Sequence, residues 1–240
     1  MRAPWLAAAL TIALGMPLGA SGGSDRADVA LVLAIDVSGS VDDNRFKLQR
    51  EGIASALESE EMAAAISNAV NQTIEIAVIE WAEEQRLIVP WTVLHGPGDL
   101  AALAPRLRSA SRSWVHTMTD PGGGIAASLD LFAEQPLAGL RQIIDVSGDG
   151  RQRGRSGNGR GATLRGETVN RLPIASGEEP GIEDWYRNNV VGGPGALLIV
   201  SDSYDAFAAA FRQKLTLEIT GLAPNSEMAQ ASRIRSDQVR

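Results

Sequence analysis

Three side chains with oxygen donors lie close together near the start of the chain. Asp36, Ser38 and Ser40 form the pattern D-x-S-x-S directly after a run of apolar residues. A carboxylate and two hydroxyls suit Mg²⁺ and similar cations, and they suit a thiophilic metal poorly. The alternative is a helix cap, in which Ser38 or Ser40 accepts hydrogen bonds from backbone amides. The motif by itself leaves both interpretations open.

The segments around this motif predict the elements that must position it. The apolar run 29–35 is continuous, which is typical of a strand buried on both faces of a parallel sheet. Asp42 and Asp43 then open an amphipathic helix, because acidic residues favour helix N-termini. Alternating residues predict an antiparallel pair of strands over 73–81 and 85–91. Further strands are predicted over 140–147, 168–174 and 196–200, and further helices over 60–70, 99–110, 125–132, 182–188 and 204–215. Strands that alternate with helices predict a doubly wound, mostly parallel α/β sheet.

The chain resembles the von Willebrand factor A-like domain, whose metal-ion-dependent adhesion site (MIDAS) reads D-x-S-x-S, then a distant Thr, then a distant Asp. Thr119 matches the threonine because it precedes a glycine run at a predicted helix start. Asp149 matches the final aspartate because it follows a hydrophobic strand. The resemblance covers residues 28–221. The segments 36–42 and 144–150 are similar to a bacterial exported subgroup that carries only a domain-of-unknown-function label.

This resemblance implies a six-stranded sheet in the order 3-2-1-4-5-6, with the third strand antiparallel. That order places two strand ends side by side, at the switch point where open α/β sheets bind ligands. It also implies a divalent cation, Mg²⁺ with Mn²⁺ or Ca²⁺ as alternatives. The residues that would hold this cation are Asp36, Ser38, Ser40, Thr119 and Asp149. Neutral hydroxyls leave the cation most of its charge, so a carboxylate from a partner protein would complete its coordination.

Three other residues compete with this assignment. Asp145 lies in an otherwise apolar strand and is either an acid near the metal or, as we expect, a buried residue with hydrogen-bonding partners. Glu80, at the end of the second strand, poses the same choice, and we again expect a structural role. Thr117 is the alternative to Thr119, although its distance from the glycine run fits less well.

A basic segment and two histidines remain. Residues 151–165 include five arginines and no acidic residue. They form either a basic rim that attracts an anionic ligand or, as we favour, a solvated flexible loop. Their glycines also argue against the helix that the resemblance places before the fifth strand. We expect His95 and His116 to be surface or structural residues, with pH sensing by His116 as the alternative because it lies near Thr119.

Composition and the first segment narrow the class of protein. The net charge of −7 and the pI of about 5.0 leave no basic excess for nucleic-acid binding. The absence of cysteine excludes disulfides, thiolate zinc sites and cysteine nucleophiles. Residues 1–22 predict a secretory signal peptide, with an apolar run too short to span a membrane. We therefore expect a periplasmic or secreted bacterial protein without a stable membrane span after cleavage, and a flexible tail over 222–240.

Three functions follow from these features. We favour a metal-dependent, adhesion-type binding module over a metal-assisted hydrolase of phosphate or ester substrates. The sequence has no G-x-S-x-G elbow, no P-loop and no histidine well placed as a general base. The third function is a scaffold that has lost its metal, and the five matching positions argue against it.

Overall fold

The computed structural model describes residues 25–115, 117–153, 164–190, 192–222 and 233–234. The predicted signal peptide over 1–22 lies outside these ranges, as does most of the predicted tail over 222–240. Between them, strands and helices alternate along the chain as the sequence predicts. The elements are β1 Arg26–Asp36, α1 Asp43–Leu57, α2 Glu60–Ser67, β2 Ile74–Trp81, β3 Gln85–Leu94, α3 Pro97–Ser109, α4 Pro121–Leu131, a 3₁₀ turn Phe132–Glu134, β4 Ala138–Gly148, β5 Thr168–Pro173, α5 Ile182–Asn189, β6 Val200–Ser201, α6 Phe207–Thr220 and β7 Arg233–Ile234.

Within the described ranges, five strands form the main sheet, in the order β3-β2-β1-β4-β5. β1 runs parallel to both β2 and β4, and β5 runs parallel to β4. β3 is antiparallel to β2. The predicted α/β class, the order of the first five strands and the antiparallel third strand are therefore confirmed. β1 is central and buried after its first residue, as its continuous apolar run predicts.

The prediction of a six-stranded sheet is wrong by one strand. In the described residues, the segment 196–200 meets β5 only through isolated bridges at Arg171 and Ile174. Pro173 lies between these two positions and has no N–H to donate to a neighbouring strand. Regular pairing is interrupted there. Only Val200–Ser201 remains as a strand, and it pairs with β7 in a separate two-stranded sheet.

Helices cover both faces of the main sheet. Successive side chains of β1 point to opposite faces. Leu31 belongs to a buried cluster with Ile53 of α1 and Phe207 of α6. Val32 belongs to the opposite cluster, with Ile125 of α4 and residues of α5. Because helices cover both faces, polar side chains that bind a ligand are expected in the loops at the carboxyl ends of the strands. No helix in the described part of the chain is long and apolar enough to cross a membrane.

Candidate metal centre

The loop after β1 presents two serine hydroxyls. Asp36, the last residue of β1, accepts a hydrogen bond through Oδ1 from the backbone N–H of Ser38 at 2.8 Å. The N-cap of α1 is Asp42, whose side chain accepts from the backbone N–H of Arg45 at 2.8 Å. The helix-cap interpretation is therefore wrong for Ser38 and Ser40. Their hydroxyls remain available to a site.

The five predicted residues converge at the carboxyl edge of the sheet. Ser40 Oγ donates to Asp149 Oδ1 at 2.5 Å. Ser38 Oγ lies 3.4 Å from Ser40 Oγ, and Thr119 Oγ1 donates to Ser38 Oγ at 3.2 Å. Asp36 is tied to the same loop through the backbone of Ser38. Three loops that are distant in the chain thus place their oxygen atoms around one point.

Two carboxylate oxygens in this cluster accept no hydrogen bond from any described residue. They are Asp36 Oδ2 and Asp149 Oδ2, which are both enclosed, although Arg45 Nη1 lies 3.5 Å from Asp149 Oδ2. A buried carboxylate oxygen is costly unless something compensates it. Three hydroxyls and two such carboxylates fit a cation that prefers oxygen ligands. The described residues contain no group of three or more His, Asp or Glu side chains suited to a metal, so hydroxyls are essential to this donor set.

Burial sets the electrostatics of the two aspartates. Burial, and then the nearby charge of Asp149, raise the pKa of Asp36 to about 7. Burial also raises the pKa of Asp149, whereas the hydrogen bond from Ser40, the nearby hydroxyl of Tyr204 and the charge of Arg45 lower it. The two carboxyl groups therefore resist being charged together. A bound cation would remove that conflict.

Arginines hold the serine loop in place. Arg112 Nη2 donates to the carbonyls of Val37 at 2.9 Å and Ser38 at 3.0 Å. Its guanidinium also lies over the ring of Phe46, 5.9 Å from the centroid. Arg45 Nη1 donates to the carbonyl of Ser40 at 2.6 Å. Sequence reasoning missed both arginines, and no pattern marks Arg112, because its partners are backbone carbonyls 75 and 74 residues away.

The threonine loop is anchored on two sides. The carbonyl of Thr117 accepts from the N–H of Gly39 at 2.9 Å, and the carbonyl of Thr119 accepts from the N–H of Arg153 at 2.7 Å. The hydroxyl of Thr119, and not that of Thr117, meets Ser38. The structure therefore brings Thr119 into the cluster, and Thr117 serves through its backbone.

Asp145 and Glu80 have partners of their own. Asp145 Oδ1 lies 2.5 Å from Lys214 Nζ, and both side chains are buried. Glu80 pairs with Arg50 and accepts from the backbone N–H of Ser113 at 2.8 Å. Both residues thus have structural partners, as we expected, although Asp145 is held by an ion pair and accepts no hydrogen bond from the described residues. The Arg50–Glu80–Ser113 contacts join α1 and β2 to the loop that carries Arg112.

The basic segment and the histidines are described only in part. Arg151 and Arg153 both pair with Glu179, so the first arginines of the segment are held by an acid. Positions 154–163, the core of the predicted basic rim or loop, lie outside the described residues. His95 Nδ1 lies 3.1 Å from Thr73 Oγ1, in agreement with a structural role. His116 lies outside the described residues, so its role stays a prediction.

A cleft of about 490 Å³ opens over the cluster. Its floor includes hydroxyl groups of the candidate metal site, and its rim carries both apolar and charged side chains. Met118 on this rim is 45% exposed. The cleft is lined by Gly39, Ser40, Thr117, Met118, Thr119, Gly150, Arg153, Glu178 and Glu179.

The sheet order and the layered helices are those of the von Willebrand factor A-like fold. One similar solved structure is a von Willebrand factor type A protein from Catenulispora acidiphila, with 17% identity, a TM-score of 0.56, and coverage of 80% of this chain and 43% of that one. Another is proximal thread matrix protein 1 from the mussel byssus with a zinc-occupied MIDAS motif, with 12% identity, a TM-score of 0.58, and coverage of 82% and 47%. A third is the pilus adhesin SpaC from Lactobacillus rhamnosus GG in an open conformation, with 16% identity, a TM-score of 0.53, and coverage of 81% and 30%. The chain thus spans less than half the length of each of these proteins.

Residues 26–223 match the family described as protein of unknown function (DUF1194), and the chain belongs to that family. No curated protein matches the chain.

Proposed function

We propose that this protein is an exported, metal-dependent binding module, in which a divalent cation bridges to an acidic group of a partner protein. The observation that carries the proposal is the convergence of three hydroxyls with two enclosed carboxylate oxygens that accept no hydrogen bond from the described residues. The proposed ligand set is Asp36, Ser38, Ser40, Thr119 and Asp149. We propose Mg²⁺ as the ion, with Mn²⁺ and Ca²⁺ as alternatives.

The neutral and the charged residues of the cluster have different roles in this proposal. Ser38, Ser40 and Thr119 offer neutral oxygens, and Asp36 and Asp149 offer negative charge while orienting those oxygens through hydrogen bonds. The direct ligands of a bound cation would be neutral hydroxyls, and the two aspartates would act largely through waters and hydrogen bonds. The cation would therefore keep most of its positive charge and attract a further carboxylate. The cleft over the cluster leaves room for that group to approach.

The similar proteins support a binding role by analogy of fold. The mussel byssus protein has zinc in its MIDAS motif, and SpaC is a pilus adhesin. Export rests on the predicted signal peptide over 1–22, with the binding domain over 28–221 and the tail over 222–240. In this proposal the mature protein works in the periplasm or outside the cell.

A metal-assisted hydrolase has less support. Among the described residues, His95 is the only histidine, and it contacts Thr73 just before β2 begins. β2 runs parallel to β1, so Thr73 lies at the opposite edge of the sheet from Asp36. This histidine is therefore too remote to act as a general base at the cluster.

Calorimetric titration with Mg²⁺ and Mn²⁺ tests the metal site. The wild-type protein and the exposed control Asp205→Ala should bind alike, because Asp205 lies outside the cluster. Asp36→Ala should bind at least about tenfold more weakly, because it removes a carboxylate of the site. If all three proteins bind with equal affinity, the site assignment fails.

Two further measurements distinguish the binding module from the metal-assisted hydrolase. Capture of a partner from a periplasmic extract on the immobilised protein should need Mg²⁺, and both a chelator and Thr119→Ala should abolish it. Turnover of generic phosphate and ester substrates should stay at background with the metal present. Metal-dependent turnover that Asp36→Ala abolishes would favour the hydrolase instead.

A further inference from the structure

Arg171 of β5 is a buried cation without a counter-ion among the described residues. It is 3% exposed. Its Nε and Nη1 atoms are enclosed and have no hydrogen-bond partner in the part of the chain that the structure describes. Burying an ionised group without a partner is among the more costly features that a fold can contain. The position therefore calls for an anion.

The side chain lies on the face of the sheet that α5 covers. Its neighbour Asn170 points to the other face, where its amide donates to Glu218 of α6 at 2.8 Å. Val169 packs with Ile182 and other residues of α5. Because alternate residues of a strand share a face, Arg171 lies with Val169 between β5 and α5.

The charges near Arg171 increase the need for an anion. Burial, and then the charge of Arg187 on α5, lower the pKa of Arg171 to about 9. Arg187 has its own acid, Glu183, one turn away at 2.7 Å. Among the described residues, the charge that acts on Arg171 is thus that of another arginine, and the carboxylate paired with that arginine is Glu183.

Few acidic residues remain outside the described ranges that could pair with Arg171. Outside the described ranges the acidic residues are Glu227 and Asp237. Positions 154–163, which closely precede β5 in the chain, contain no Asp or Glu.

We propose that Arg171, with Arg187 at its outer side, binds the oxyanion group of a small molecule between β5 and α5. The planar guanidinium presents N–H donors in an arrangement that matches the oxygens of phosphate and carboxylate groups. Neither arginine is one of the proposed metal ligands Asp36, Ser38, Ser40, Thr119 and Asp149. This site is therefore independent of the proposed metal centre, and either proposal can fail without the other.

Thermal unfolding of the metal-free protein tests the site. Unfolding is measured in a zwitterionic buffer at constant ionic strength, with sodium chloride replaced stepwise by inorganic phosphate or by succinate. A ligand at one hundred times its Kd should raise the Tm by about 5 to 10 °C for a domain of this size. The phosphate and succinate arms show which kind of oxyanion the site prefers. A Tm that is the same in phosphate, succinate and chloride overturns the proposal.

Matched variants identify the residue responsible. Arg171→Met should show no Tm rise with the preferred anion, and Arg212→Met, at an exposed position of α6, should keep the full rise. An equal rise in Arg171→Met and the wild type overturns the proposal. If Arg171→Met does not fold, Arg187→Met provides a second test, because the side chain of Arg187 is half-exposed. In that variant the anion concentration that gives half of the Tm rise should increase about tenfold.

A last variant tests whether an acidic residue of the chain itself pairs with Arg171. The double variant Glu227→Gln/Asp237→Asn should unfold at the wild-type temperature and respond to the anion as the wild type does. A double variant that gains an anion response which the wild type lacks would show that a carboxylate of the chain already occupies Arg171. That result also overturns the proposal.

Discussion

Ser40 donates a 2.5 Å hydrogen bond to Asp149 across a sequence separation of 109 residues. The contact follows from the sheet order, because β1 and β4 are parallel neighbours and the loops that follow them start at the same edge. Ser40 comes after β1, and Asp149 is the first residue after β4. The proposed metal centre depends on this adjacency.

Gly148 leaves no room for a side chain beside the cluster. A Cβ atom there would lie 2.6 Å from Asp36 Oδ2 and 2.6 Å from the hydroxyl of Tyr186. Gly148→Ala should therefore lower the free energy of unfolding by about 1–3 kcal/mol and weaken Mg²⁺ binding, because Asp36 must move. Urea denaturation and calorimetry measure the two effects. Gly98→Ala is the control, since nothing lies within 4 Å of its added Cβ. It should lower neither the free energy of unfolding nor the affinity for Mg²⁺. Wild-type behaviour of Gly148→Ala would contradict the geometry of the cluster.

Arg112 positions the serine loop without contacting a metal ligand side chain. Arg112→Met removes the donors to the carbonyls of Val37 and Ser38. We expect Mg²⁺ affinity to fall about 10- to 100-fold, as is typical when a group that orients metal ligands is lost. The matched control is Arg108→Met, whose exposed ion pairs with glutamates should contribute less than about 1 kcal/mol and leave Mg²⁺ affinity unchanged. Equal Mg²⁺ affinity in the two variants would show that Arg112 does not hold the loop for metal binding.

Metal affinity should depend on pH through Asp36. Its pKa of about 7 means that below this pH the carboxyl group carries a proton that a cation must displace. Mg²⁺ affinity should therefore be about tenfold higher at pH 8 than at pH 6. Titration in buffers of different ionisation enthalpy should show proton release at pH 6 and little at pH 8. An affinity that is the same at both pH values would mean that Asp36 is already ionised, or that it is not part of the site.

Glu218 should make the protein less stable as the pH rises. Burial, and then the charge of Asp145, raise the pKa of Glu218 from 4.5 to about 7. The folded chain thus holds a proton that the unfolded chain releases between about pH 4.5 and 7, so stability is greatest below this window and falls as pH rises through it. Glu218→Gln should reduce the fall in unfolding free energy between pH 5 and pH 8 by about 3 kcal/mol.

Urea denaturation at the two pH values checks this expectation. Glu61→Gln, at an exposed position of α2, should keep the wild-type pH dependence. Comparing variants is necessary because Asp36, whose pKa is also raised, adds a fall of the same sign to every protein that retains it. A wild-type pH profile in Glu218→Gln would refute the role of this carboxyl group.

Much of the candidate site is predictable because its parts are local. The D-x-S-x-S pattern follows a strand whose apolar run is visible in the sequence, and Asp149 follows another. Thr119 is recognisable only through the resemblance, since a single threonine before glycines has no distinctive local pattern. The prediction of a sixth strand in the main sheet was wrong. The apolar residues of the segment 196–200 fit a strand, but Pro173 of β5 has no N–H to donate to it, so regular pairing is interrupted.

The sequence by itself determined the fold class, the strand order expected from its family resemblance, and the chemical type of the site, because apolar periodicity and the identity of side-chain oxygens are properties of short segments. The tertiary structure decided which atoms meet. Asp145 pairs with Lys214, Arg112 holds the carbonyls of the serine loop, and Arg171 is buried with no acid paired to it among the described residues. Each of these depends on distances between residues far apart in the chain, and such distances exist only once the helices have packed on the sheet.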